Sequence, residues 1–167
     1  MQLSTIACAV FMALLLGPLA GVWARDYAAS GVPSVSDRME RARASISSGN
    51  WANAQAELEE ALRDDPFSAD AHNLLAFSLR KQPQANLVRA FVHYREALRL
   101  DPAHRGAHEY IGEAYLMDNQ PAQARRHLLE LERLCGGRAC EEYVDLARAL
   151  AEFERNRLPA LPVPAKP

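Results

Sequence analysis

Small and large apolar residues recur along the middle of the chain with a helical beat. Ala54, Leu58 and Ala61, then Ala90, Tyr94 and Ala97, then Ala124, Leu128 and Leu131 repeat one triplet: a small residue, a core residue four positions later, and another three after that. Those spacings place each triplet on one side of a helix, because 3.6 residues complete a turn. A second kind of amphipathic segment precedes the later two triplets, carrying His72, Leu75, Ala76 and Leu79 in one case and His108, Ile111, Gly112 and Tyr115 in the other. Asp65-Pro66 and Asp101-Pro102 each close a helical pattern, since proline lacks an N–H and disfavours helix in the residue before it.

The prolines mark a repeat of about 34 residues, with two extra residues falling in Lys81 to Asn86, a loop that contains Pro83. Units are therefore expected near 35–68, 69–104 and 105–135, each a hairpin of two helices. Ala42, Ala76 and Gly112 are expected where the two helices of a hairpin come closest. The first unit is degenerate, with Arg38, Arg41 and Ser45 at positions that are apolar elsewhere, and it reads as a cap whose outer side meets water. Gly49-Asn50-Trp51 marks its turn, with Trp51 closing over the core. Gly136-Gly137 is a helix stop, after which a capping helix is expected over 140–156, with Tyr143, Leu146, Leu150 and Phe153 on one side. Residues 25–34 read as a linker, and 157–167, with four prolines in eleven residues, as a disordered or polyproline-like tail.

His108, Ile111, Gly112 and Tyr115 stand at the spacing W-x2-L-G-x2-Y, and the three aligned units resemble the tetratricopeptide repeat (TPR) over residues 35–135. The resemblance implies an all-α fold, a right-handed TPR superhelix of three helical hairpins plus a C-terminal capping helix. The stretches from His104 to Leu116 and from Leu134 to Tyr143 further resemble a family of small exported proteobacterial tetratricopeptide proteins. That family implies export and paired cysteines and leaves the ligand open.

The N-terminus sharpens the expectation of export. No charged side chain precedes Arg25, and Ile6 to Leu16 is an apolar run ended by Gly17-Pro18, too short to cross a bilayer. Residues 1–24 read as a signal peptide cleaved after Ala24, with Ala20 as a second cut and an uncleaved anchor as the lesser alternative; cleavage gives a periplasmic protein with no stable membrane insertion. Cys8 leaves with the signal, so Cys135 and Cys140 remain for an oxidising compartment, where a disulfide is the natural state. Two free thiols, or a redox or metal role for the pair, are the alternatives. The net charge of −2 offers no footprint for nucleic acid.

Nothing in the chain is assembled for catalysis: there is no G-x-S-x-G, phosphate-binding loop, dinucleotide glycine pattern or H-E-x-x-H, and no cofactor is implied. His104 and His108, four apart, could share a metal with Glu109, but His108 and His72 occupy equivalent packing positions and the packing reading is preferred. The surface expected to bind is the inner wall formed by the first helix of each hairpin. Its residues, by spacing, are Met39, Arg43 and Ile46; Asp70, Asn73, Phe77 and Arg80; and Glu109, Glu113 and Leu116, with Arg43 and Arg80 facing Glu109 and Glu113. Such a groove suits a peptide or protein partner of mixed character. Phe77 stands where a carboxylate-gripping clamp would need asparagine, so a chaperone-tail function does not transfer. The same wall could instead be filled by the chain's own ends or by a second copy in a homo-oligomer.

Overall fold

The computed structural model describes residues 31–157, which form seven α-helices and, among those residues, no strand. They are α1 (Val35–Ser47), α2 (Trp51–Asp64), α3 (Ala69–Lys81), α4 (Leu87–Leu100), α5 (Arg105–Met117), α6 (Pro121–Leu134) and α7 (Glu141–Arg157). The expected signal segment, most of the linker and the tail beyond Arg157 lie outside the described residues. No helix among the described residues is long and apolar enough to cross a membrane.

Local chemistry fixes where the helices start and stop. Ser34 caps α1 in a reciprocal box with Asp37, and the side chains of Asn50, Ser68, Asn86 and His104 each accept the N–H three residues on, satisfying donors that a helix start leaves open. Helices α1, α5 and α6 end on a left-handed residue, Gly49 (φ 72), Asn119 (φ 59) and Gly136 (φ 65). The following N–H then returns to a carbonyl inside the helix, from Asn50 to Ser45 at 2.8 Å and from Gln120 to Tyr115 at 2.7 Å. Between hairpins, Asp65 and Asp101 use their carboxylates to hold the N–H of Phe67 at 3.1 Å and of Ala103 at 2.9 Å, so the two Asp-Pro turns are one device used twice. The third connection has no Asp-Pro. There Cys135 and Cys140 form a disulfide, with Cα atoms 6.0 Å apart, across the glycine turn into α7.

Helices α1/α2, α3/α4 and α5/α6 pair as hairpins. The odd-numbered helices also pack on one another in sequence from α1 to α7, whereas the even-numbered ones approach only through long side chains, as where Arg89 of α4 reaches Glu59 of α2 at 2.9 Å. The odd helices thus form an inner layer and the even ones an outer layer. Alanines at the crossings, among them Ala42, Ala54, Ala61, Ala76, Ala90 and Ala97, are completely buried, as are Leu58, Tyr94 and Leu131. Leu116, Ala124, Leu131, Leu146 and Leu150 make a second cluster that attaches α7. Full burial of each leucine contributes about 2 kcal/mol.

Three expectations change. Gly112 does not serve the approach of α5 to its own hairpin partner: a Cβ there would meet Leu146 Cδ2 at 2.6 Å and Cδ1 at 2.7 Å, so the glycine is required by α7. Trp51 packs edge-on to Phe77, with centroids 6.0 Å apart, and so joins the first hairpin to the second instead of closing its own turn. Of the three polar residues at the apolar positions of α1, Arg41 is turned to water, but Arg38 and Ser45 are not. Arg38 reaches Glu57 at 3.5 Å and Asp64 at 3.8 Å, and the buried Ser45 accepts from Asn53 Nδ2 at 2.6 Å.

Gly112→Ala should destabilise the fold by about 1 kcal/mol, because overpacking against the buried Leu146 outweighs the gain in helix propensity. Introduced into a Leu146→Ala background, which removes the obstructing methyls, the same change should instead stabilise. Chemical denaturation of the four proteins of this cycle measures both signs.

Candidate functional site: the inner wall of the helical array

At the centre of the inner layer Arg80 reaches from α3 into the interior, its side chain only 4% exposed. Its guanidinium meets Glu113 of α5 at 2.6 Å and donates from Nε to the hydroxyl of the buried Tyr94 of α4 at 3.3 Å. The cation also lies 5.3 Å from the Phe77 ring centre and 5.9 Å from that of Tyr110, and these two rings are 4.7 Å apart. One arginine therefore ties three helices, and burial raises the Tyr94 pKa above the ordinary phenol range. Removing the arginine alone would strand a carboxylate, so Arg80 is a poor handle for testing the surface.

The ten residues expected to line the groove divide into two groups. Met39, Asn73, Arg80, Glu109 and Leu116 are buried, Met39 and Leu116 within the two apolar clusters. Arg43, Ile46, Asp70, Phe77 and Glu113 retain exposure. Arg80 does face Glu113, but Arg43 pairs with Asp70 at 3.6 Å and not with the carboxylates of α5. Phe77 keeps only partial exposure, flanked by the Trp51 and Tyr110 rings and by the cations of Arg80 and Lys81.

Spacing arguments confined to the three hairpins omitted the wall that α7 supplies. A cleft of about 330 Å³ lies between α3, α5 and α7, lined by Arg80, Glu113, Met117, Glu152, Phe153 and Asn156. A second, of about 280 Å³, opens where these helices begin, beside Asp70, His104, Gly106 and Glu142. Glu142, Asp145, Ala149, Glu152 and Asn156 recur at intervals of three and four, so the period used for the hairpins identifies this face of α7 too.

Glu109 sits on the face of α5 that also carries Gly106 and Glu113. It is 8% exposed, and no hydrogen bond or ion pair reaches its carboxyl group. Burial, then the proximity of Glu113, Asp145 and Glu142, push its pKa up to about 8 against the opposing pull of Arg80. Asn73 of α3, 4% exposed, lies against Gly106 one turn earlier, and its Oδ1 finds no donor.

The histidines do not converge as a metal set. His104 caps α5 and turns Nε2 to Asp70 at 3.0 Å, while His108 turns to His127 of α6. His108 Nδ1 lies 2.9 Å from His127 Nδ1 and its Nε2 lies 3.1 Å from the carbonyl of Pro102. The second hairpin repeats this arrangement, with His72 Nδ1 2.9 Å from His93 Nδ1 and His72 Nε2 3.2 Å from the Pro66 carbonyl. A carbonyl only accepts, so Nε2 carries the proton in His72 and His108, and their Nδ1 must accept from His93 and His127. In both pairs the ring centres are 5.2 Å apart, the nitrogen separation plus two ring radii, so the nitrogens meet head-on. A metal on that line would need about 4 Å between nitrogens; the observed distance is that of a hydrogen bond. Burial, with His108 alongside, lowers the His127 pKa to about 4, and burial beside His72 lowers that of His93. Cys135, Cys140 and Glu142 bring ligand atoms within 4.8 Å of one another, but the two sulfurs are bonded to each other and hold no thiolate.

No family model matches the sequence, and no curated protein matches it either. Among solved structures the chain is similar to the TPR2B domain of yeast Sti1 in a pHsp70 complex, with a TM-score of 0.65 and 15% identity over 74% of this chain and 98% of that one. It is also similar to the Yersinia enterocolitica type III secretion translocator chaperone SycD in an alternative dimer, with a TM-score of 0.61 and 16% identity over 73% of this chain and 89% of that one. The fold is therefore an all-α, tetratricopeptide-type helical repeat, as the spacing of small and large residues implies.

The paired histidines make stability depend on acidity. Burial holds the folded pKa values of His93 and His127 below the ordinary histidine value, so their contribution is present above pH 6.5 and is lost as the pH falls toward 4. His127→Gln, which keeps a side-chain N–H able to donate to His108 but cannot titrate, should lose less stability than the wild type between pH 6.5 and 4. Thermal unfolding across that window checks it.

Proposed function

We propose that the chain is an exported, periplasmic scaffold that holds a peptide or protein partner along its inner wall, and that it is not an enzyme. The observation that carries this reading is the wall itself, where α3, α5 and α7 present a half-exposed aromatic, Phe77, beside clefts edged by charged groups. Stacked hairpins leave such a surface because the inner layer must curve, and extended or helical segments bind surfaces of this kind. The likeness to the Sti1 domain and to the secretion chaperone supports partner binding as a use of this architecture. A disulfide at Cys135 and Cys140 agrees with an oxidising compartment and suits a structural staple, worth about 2 kcal/mol for a loop this short.

Export predicts a mature protein beginning at Arg25 and bearing oxidised Cys135 and Cys140, both readable by intact-mass spectrometry of the secreted form. Reduced cysteines that bind zinc stoichiometrically would favour a redox- or metal-handling protein instead.

For the wall, Phe77→Ala should weaken partner crosslinking from native envelope several-fold while leaving helix content unchanged by circular dichroism. Capture as strong as that of the wild type would sink the groove as the binding surface.

A further inference from the structure

Two polar groups of the inner wall lack a protein donor, while a third, Arg80 Nη2, makes no hydrogen bond but lies 2.6 Å from the Glu113 carboxylate. Glu109, 8% exposed, turns its carboxyl oxygens to solvent with no protein partner, and Asn73 Oδ1, against Gly106 one turn earlier along the same wall, is buried without a donor. Both are acceptors. The other carboxylates near them have found cations: Glu113 holds Arg80 at 2.6 Å, Glu142 meets Arg105 at 3.5 Å and Asp145 meets Arg148 at 2.5 Å. The charges that act on Glu109 are Glu113 on its own helix, Glu142 and Asp145 on α7 and Arg80 on α3; the three carboxylates each already hold an arginine, and their net effect on Glu109 is that of negative charge. A buried acceptor without a donor is unfavourable, and a poorly solvated carboxyl group more so when ionised. A donor carrying positive charge would satisfy both groups and offset the surrounding negative field.

Resting on the partner-binding reading above, we propose that the occupant of the inner wall is a basic peptide segment that places a lysine or arginine side chain on Glu109, within reach of Asn73 Oδ1. The clefts to either side, at Asp70 and Glu142 and at Glu113 and Glu152, are acidic as well and take the flanking residues of such a segment. The apolar stem of the bound lysine or arginine then lies along the wall while its head group reaches the carboxylate.

The test uses the full chain and a fluorescein-labelled octapeptide of alternating alanine and lysine, with its lysine-acetylated twin as the uncharged control. Acetylation and Glu109→Gln should each weaken binding about tenfold, as expected for loss of a charge-assisted bond, whereas Glu40→Gln on the exposed side of α1 should leave it unchanged. Carboxyl 13C titration should place the Glu109 midpoint near 8 in the free protein and below 6 with saturating lysine peptide. Glu109→Gln should also gain stability relative to the wild type as the pH rises from 4.5 to 8, because a carboxyl group with a raised folded pKa loses its contribution across that range. That gain separates a binding defect from a folding defect.

Equal binding of the lysine peptide by Glu109→Gln, or a Glu109 midpoint unmoved at saturation, overturns the proposal. If Phe77→Ala weakens the peptide and Glu109→Gln does not, the wall remains a partner groove and only the cation assignment falls. If neither change matters, the groove reading falls with it. Dissolution of a dimer by Glu109→Gln would assign this face to a second copy of the chain and likewise end the basic-peptide proposal.

Discussion

Close approach between helices is the constraint on which the rest of this structure depends. A hairpin of two short helices cannot bury its apolar stripe alone, and stacking requires neighbours to come near enough for leucines to interlock. Completely buried alanines at the crossings permit that approach, and the larger residues, Leu58, Leu75, Tyr94 and Ile111, fill the space it defines. Gly112 extends the rule to α7. With no side chain there, Leu146 seats directly on α5, and the seventh helix becomes part of the inner layer instead of a loose cover. The disulfide holds the start of that helix where the other connections use Asp-Pro turns.

Polar groups follow the apolar framework. Arg80 enters the interior only because Tyr94 and Glu113 wait for it on two other helices, and the aromatic rings of Phe77 and Tyr110 cover its face. The histidine pairs do a similar job between the helices of the second and third hairpins, using the carbonyl of the preceding Asp-Pro turn to set the tautomer. A turn that ends one helix thereby orients the side chain that locks the next hairpin. This arrangement ties the proline, chosen for its backbone, to the histidine, chosen for its ring.

Much of this was legible in the sequence and some was not. The hairpins follow from spacings of three and four with alanine at the crossings, and the Asp-Pro turns punctuate them. The role of Gly112 was not legible, because a small residue in a repeat says that something comes close without saying which helix does. His93 and His127 escaped notice since each lies outside the triplet that identifies its helix, although His-x-x-Glu recurs at both, as His93 with Glu96 and His127 with Glu130. On the inner wall, helical spacing identified the face but not the depth. Met39 and Leu116 share that face and are core, because neighbouring odd helices cover them. The α7 side was missed because the capping helix was read for its apolar stripe alone.

Where polar groups are left unsatisfied is more informative than how many there are. The starts of α1 to α5 are capped by side chains, the Asp-Pro turns hold their own N–H groups, the paired histidines satisfy each other, and Arg38 keeps two carboxylates within 4 Å although its Nε makes no hydrogen bond. Against that thrift, the Glu109 carboxyl group and the buried amide oxygen of Asn73 stand without protein donors on one wall, Asn73 of α3 lying against Gly106 one turn before Glu109. Stability alone would favour glutamine or an apolar residue at position 109, and the helix would accept either. Acceptors left without protein donors on a partly open wall mark a place where folding is not the only demand on the chain. The deficit is also specific in kind, since two acceptors beside further carboxylates define the charge of whatever completes them.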